Sequence, residues 1–398
     1  MRLSNANRSS SALAVALGAF ALAQTVSPAI AADLIVSAND AKSVRSRGEI
    51  TYPEGVGPDT LTLIDASSSP PVIKATVAVR HSLVGPPQAV AITPNGRLAV
   101  VSAPSRYDRA DHKLLFETYL QVIDLAASPP HIIDKIDVGA FPQGLAINRE
   151  GTLLLAATVK GTVAVLGIDG DRVMLKQLLK IGDKRLAGVS FTHDGRAALV
   201  ALRDEQGLVV LNVSDGRVSD TGDRVTTGVA PYALDVSSDG KWAVVSNVGL
   251  GGLSHPGRLY ADVDSFTLID VSHRPFHAIE HVTVPSVPEG IAISPNGRWI
   301  AVQAMDGSNL RPDNPGRKPR GRVLLFEVRN GQALQKSDLA GGEAAQGIVF
   351  TADSHRVLIQ FNVEKQIAIY AIHDGALEDT GERMPIAGGP ASLRSVPR

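Results

Sequence analysis

The sequence contains no cysteine. That excludes disulfides, thiolate metal sites, cysteine nucleophiles and a lipid-modified N-terminal cysteine. It also excludes haem attachment through Cys-x-x-Cys-His. Aromatic residues are scarce, at 4% with two tryptophans, so no repeat can carry a tryptophan in every unit. No sign of charge is in excess: 39 Lys and Arg stand against 40 Asp and Glu, without a basic stripe. Nucleic acid is therefore not an expected partner. The H-E-x-x-H zinc pattern and the G-x-S-x-G nucleophile elbow are both missing, which removes two large hydrolase classes.

No apolar run is long enough to span a bilayer comfortably. The longest, Ser11 to Ala23, follows Arg2 and Arg8 and precedes Ala29-Ile30-Ala31. A basic region, a short apolar stretch and a small-x-small site together read as a secretory signal peptide. The expectation is a signal at residues 1–31 and a mature chain at 32–398. Such a chain would be exported to the periplasm, with no membrane span after cleavage.

What the sequence does have is one stretch repeated six times. Its clearest copy runs from Pro288-Glu289-Gly290-Ile291-Ala292-Ile293 through Ser294-Pro295-Asn296-Gly297 to Trp299-Ile300-Ala301-Val302. Ile291 and Ile293 alternate with small residues at the strand period of two. Proline presets φ in the turn and glycine accepts a positive φ there. Five further copies occupy 88–101, 143–156, 188–200, 232–245 and 346–359. Their turn residues Gly96, Gly151, Gly195, Gly240, Gly297 and Ser354 lie 55, 44, 45, 57 and 57 residues apart. Each copy leads into a third strand and then a more polar fourth. Four strands per unit of at least 40–45 residues, with a polar outer edge, predict an all-β propeller.

The ends complete the count. Strands at 34–37, 60–65 and 72–79 precede the first copy and have no inner partner. Gly388-Gly389-Pro390-Ala391-Ser392-Leu393 begins like an inner strand near the other end. Joined, they make a seventh blade, closed by the C-terminal strand, with Leu393 paired to the strand at 34–37. The prediction is a single seven-bladed domain.

Two faces follow from this pattern. The short Pro-Asn-Gly turns crowd one, which leaves little room for chemistry. The other receives the connections between second and third strands, four of them long: 38–59, 104–118, 248–264 and 305–321. Long loops on a rigid scaffold are the usual site of binding. At the starts of the inner strands this face gathers Gln88, Gln143, Tyr232, Glu289 and Gln346, an amide-rich ring suited to a sugar, a lactone or ordered water. Asn39, Arg203, Asn247, Gln303 and Asn362 lie at the ends of second strands. Arg106, Asp108, Asp111 and His112 share one long loop and read as solvated charge rather than an acid–base pair; His255 and Asp262 in another read alike. The expected binding residues are Gln88, Gln143, Tyr232, Glu289, Gln346, Arg106, Arg203, Asn247 and Asn362. No metal or cofactor is expected: Glu289 is the ring's only carboxylate, and calcium would need several more oxygens, such as those of Asn247, Asp306 or Asn362.

The stretches 288–303 and 231–247 resemble the YVTN family of β-propeller repeats, with Pro-x-x-apolar, a Pro-Asp/Asn-Gly turn and a strand ending near Asn. In style the sequence is also similar to seven-bladed lactonases of the 6-phosphogluconolactonase type. Their inner strands often open with Gly-Pro-Arg-His, whereas this chain reads Pro86-Pro87-Gln88 and Phe141-Pro142-Gln143. The residues 105–120 bear a resemblance to the propeller subunit of periplasmic amine dehydrogenases. The resemblances imply the architecture. For function they leave a periplasmic module that binds a small polar ligand or a partner protein, or a lactonase-like hydrolase working in the polar funnel.

Overall fold

A computed structural model of the chain describes residues 1, 33–249 and 262–398. The predicted signal peptide and His255 lie outside the described residues. Seven four-stranded antiparallel sheets follow one another around a ring. Blade I closes it. Its strands, from the inside outward, are Gly389–Ser395, Leu34–Asp40, Thr60–Asp65 and Val72–Ala78. Leu393 pairs with Ser37 and Arg394 with Val36, so residues more than 350 positions apart are strand neighbours.

Blades II to VII each run inner strand to outer strand in chain order. Their inner strands are Val90–Ile92, Pro142–Ile147, Val189–Phe191, Pro231–Val236, Pro288–Ile293 and Ile348–Phe350. The outer strands are polar and half-exposed, as His131–Asp137 and His277–Thr283 illustrate.

The second strands are apolar at nearly every position because both of their faces are covered. In Leu153–Thr158 of blade III, Leu154 and Ala156 pack towards blade II, while Leu153, Leu155 and Ala157 pack towards blade IV. Seven such apolar clusters fill the seven interfaces between neighbouring blades. One joins blade VII to blade I through Ile35, Ile64, Val349, Leu358, Ile367 and Leu393, which is the closure predicted from the orphan strands.

The turn between first and second strands is the same in six blades. Gly96, Gly151, Gly195, Gly240 and Gly297 have φ between 66° and 73°, and Ser354 takes 63° at the equivalent place. At Gly297 a Cβ would also come within 2.5 Å of the Asp239 carboxylate of the preceding blade.

Two of the long loops form hairpins. One pairs Val44–Ser46 with Glu49–Thr51. Its turn residues Arg47 and Gly48 are both at positive φ, as a two-residue type I′ connection requires. The other pairs Ser105–Asp108 with Lys113–Phe116. The first hairpin is wedged between its neighbours. Tyr52 stacks on Tyr107 at 4.0 Å, and Arg109 donates to the carbonyls of Tyr52 and Pro53. On the other side Glu49 pairs with Arg311 at 2.9 Å, and Gly48 lies against the Leu310–Arg311 peptide so closely that a Cβ would stand 2.3 Å from it.

Candidate functional site

The channel along the propeller axis is lined by the inner strands, and two side chains cross it. Gln88 of blade II reaches blade V, where its amide makes a paired contact with the Leu234 backbone: Nε2 donates to the carbonyl at 2.7 Å and Oε1 accepts from the N–H at 3.0 Å. Gly188 makes room, because a Cβ there would meet Gln88 Oε1 at 3.1 Å and the Tyr232 carbonyl at 2.5 Å. Nearer the turn face, Arg394 of blade I donates to Asp235 at 3.2 Å, to the Val189 carbonyl and to Ser190 Oγ. Around these bridges, towards the turn face, lies a cavity of about 130 Å³; the loop side of the channel, around Tyr232, is the funnel. That cavity is more room than the tight turns led us to expect. It is lined by Arg149, His193, Asp235, Arg394 and Arg398 among apolar inner-strand residues. Arg394 pairs with Asp235 and Arg398 with Asp33, while Arg149 donates to His193 Nε2 at 3.2 Å.

The funnel is different. Tyr232 forms its wall, buried, with its hydroxyl held by the Gly85 carbonyl at 2.6 Å. Arg203 lies over the Tyr232 ring at 4.8 Å and Arg185 at 6.0 Å. A planar guanidinium stacks well on an aromatic face while its in-plane donors stay free. Gln143 fixes Arg185: its Oε1 accepts from Nε at 3.0 Å and from an Nη at 2.7 Å. Arg45, on the 44–51 hairpin, supplies a third guanidinium. Glu289 lies in electrostatic reach of all three. Among the described residues it makes no ion pair within 4 Å, nor do Arg45 and Arg203.

Burial dominates the protonation of this group. It pushes the Glu289 carboxyl above its ordinary range, and Arg45, Arg203 and Arg185 pull it only partly back. Burial likewise lowers the affinity of the Arg45 and Arg203 guanidiniums for their protons. Several buried polar atoms lack partners: Arg45 Nη1, Arg203 Nε, Gln346 Oε1 and both amide atoms of Gln303. An unpaired buried polar atom costs about 1–3 kcal/mol, so each of these five calls for a polar partner, from water or a ligand. At the equivalent place in blade VII, Gln360 satisfies its amide on Ser37, Ser392 and Gly347, which shows that the repeat itself can supply partners.

The structure therefore sorts the predicted residues. Tyr232, Glu289, Arg203 and Gln346 converge in or beside the funnel. Gln143 holds Arg185, and Gln88 braces the channel. Asn247 is buried and stitches its blade, donating to Ser265 and Thr267, just as Asn39 donates to Thr60 and Thr62 in blade I. Asn362 donates to the Pro390 carbonyl of the closing strand. Arg106 stays on the outer rim beside Asp108 and Glu117. Asp108 caps the hairpin turn, and Asp111 pairs with Lys113 at 2.6 Å. Asp306 is paired with Lys318 at 2.8 Å. Among the described residues no three His, Asp or Glu side chains come together as a metal-ligand set. Arg45 and Arg185 are the residues that sequence reading missed. The signal for Arg45 was the Arg47-Gly48 hairpin turn flanked by short alternating strands. Arg185 precedes an inner strand as part of a basic Lys184-Arg185 pair and carries no comparable mark.

No family model and no curated protein matches the chain. Solved structures do. A candidate 6-phosphogluconolactonase from Bacteroides uniformis superimposes with a TM-score of 0.66 at 14% identity, covering 92% of this chain and 100% of its own. The periplasmic gluconolactonase of Pseudomonas aeruginosa gives 0.62 at 16%, covering 92% and 99%. Kuenenia stuttgartiensis hydrazine synthase gives 0.57 at 17%, covering 79% and 90%. The likeness is one of fold, and the same architecture serves proteins with different names. No helix among the described residues is long and apolar enough to cross a membrane.

Proposed function

We propose that this protein is an exported propeller that binds a small, hydroxylated organic acid in the funnel on its loop face. The observation that carries the reading is the charge balance there. Three guanidiniums surround one carboxylate without ion-pairing to it, among buried amides that lack partners. Guanidiniums recognise carboxylates through paired N–H donors, and unpaired amides serve hydroxyl groups. Export rests on Arg2, Arg8 and the Ala29-Ile30-Ala31 site of the sequence. The resemblance to a periplasmic gluconolactonase is in keeping with it.

Glu289 favours a second reading, the opening of a sugar lactone. A carboxylate with a raised proton affinity is suited to take a proton from water. Arg203 and Arg185 beside it would stabilise the oxyanion formed at the lactone carbonyl. The water's oxygen would bond to that carbon, the ring C–O bond would break, and the leaving alkoxide would take up the proton from Glu289.

One set of measurements tests both. Titration calorimetry of residues 32–398 with gluconate should show saturable binding, weakened about tenfold or more by Arg203→Ala, since hydrogen bonds to charged groups contribute about 1.5–3 kcal/mol. A pH-stat assay with gluconolactone should show turnover that Glu289→Gln abolishes if the second reading holds. Binding without turnover leaves the first reading alone, and no binding of either compound overturns both.

A further inference from the structure

The funnel's cations do not sit together. Arg185 and Arg203 come from blade IV and its approach, and both lie over the Tyr232 ring. Arg45 arrives separately, on a hairpin inserted between the second and third strands of blade I, and it senses Glu289, Tyr232 and Glu343 on blades V to VII. Glu343 is already committed to Arg317 at 2.8 Å. Glu289 lies within electrostatic reach of both groups, so the funnel draws its cations from two separate elements: blade IV with its approach, and the inserted hairpin that forms its cover.

The cover is a built part of the site. The Tyr52–Tyr107 stack, the Arg109 contacts with two carbonyls, the Glu49–Arg311 pair and the close approach of Gly48 to residues 310–311 fix the hairpin from both sides. Yet Arg45 Nη1, the atom this construction places in the interior, has no hydrogen-bond partner among the described residues, and neither has Arg203 Nε of blade IV. A bracing of this kind around an unsatisfied guanidinium is expected where the missing partner is a ligand.

We propose that the funnel selects acids with two anionic groups, one held by Arg185 and Arg203 against Tyr232 and the other by Arg45. The hydroxylated chain between them would lie over Glu289, where Gln303 and Gln346 offer unpaired amide atoms. This rests on the funnel being the binding site and adds the ligand class. A dianion would give each guanidinium group a partner, whereas a monoanion would leave one of them without. Arg45 is then the specificity-determining residue, and it belongs to the inserted hairpin rather than to the propeller repeat.

The test compares D-glucarate, a dicarboxylate, with D-gluconate, the matched monocarboxylate, by titration calorimetry at low salt. The protein should bind glucarate at least about tenfold tighter, the scale of one charge-assisted contact. Arg45→Gln should erase that preference, with glucarate affinity falling about tenfold further than gluconate affinity. A melting curve of the variant checks that it folds; if it does not, Arg45→Lys, which keeps charge but loses the planar fork, should retain part of the preference. Gluconate binding with no preference for glucarate overturns this proposal alone, as does a preference that survives Arg45→Gln. Failure of both acids to bind overturns the funnel reading with it.

Discussion

Arg394 and Asp235 meet at 3.2 Å across the channel although 159 residues separate them. Both occupy the same position in their inner strands, one after the closing leucine of blade I and the other after Leu234 of blade V. A repeat position that is alanine in blades II, III and VI, at Ala91, Ala146 and Ala292, thus becomes an ion pair between blades on opposite sides of the ring. Burial weakens the hold of Arg394 on its proton and raises the proton affinity of Asp235, and each opposes the other's shift. Arg394→Met should leave the Asp235 carboxylate without its counter-charge and cost about 2–4 kcal/mol, because breaking one side of a buried pair strands the other. Adding Asp235→Leu should recover much of the loss. Urea unfolding of the two variants decides this, and a double variant no more stable than the single one would contradict it.

The blade that closes the ring makes a second prediction. Removing residues 389–398 strips the inner strand from Leu34–Asp40 and opens the cluster of Ile35, Ile64, Val349, Leu358 and Leu393. The edge of Leu34–Asp40 that pairs with it becomes free. The truncated chain should lose its cooperative unfolding transition or aggregate, whereas an unchanged melting temperature would show that closure contributes nothing.

Turn geometry makes a third. Gly297 sits at φ +68° with the Asp239 carboxylate 2.5 Å from where a Cβ would be. Gly297→Val should cost about 1–2 kcal/mol or more, since a β-branched residue resists that conformation. Gly381, also at positive φ but with nothing within 4 Å, provides the control: Gly381→Val incurs backbone strain without the clash and should cost less. Melting curves of the two variants should differ in that order.

A fourth concerns pH. Burial pushes the Asp264 carboxyl from an ordinary 3.8 up to about 6, and its Oδ1 has no partner. The native state therefore holds this proton more tightly than the unfolded chain. The resulting stabilisation is fully present below about pH 3.8 and is lost as pH rises through about 6. Asp264→Asn removes that loss. Its melting temperature should exceed that of the parent at pH 7.5 by more than at pH 4, and a gap of equal size at both would refute the assignment.

Much of the fold was legible because its determinants are local and repeated. The proline, the turn glycine and the strand of period two recur in register, and Thr62-Leu63-Ile64-Asp65 matches Thr267-Leu268-Ile269-Asp270 closely enough to identify a third strand with no blade of its own. The site was less legible because it depends on what faces what across the ring. Gln88 and Gln143 share a repeat position, yet one braces the channel and the other holds an arginine, according to which residue stands opposite. Asn247 looked like a rim residue, but Ser265 and Thr267 on the adjoining strand give it hydroxyls to bind inside its own blade. Arg45 comes from an insertion outside the repeat, so no alignment of copies could bring it beside Glu289.

The contact of Gln88 with Leu234 also sets the traffic through the molecule. With its amide spanning from blade II to blade V, and Arg394 crossing beyond it, two side chains stand in the path along the axis. A solute passing from the loop face to the turn face would have to displace both, breaking a paired amide contact and an ion pair on the way.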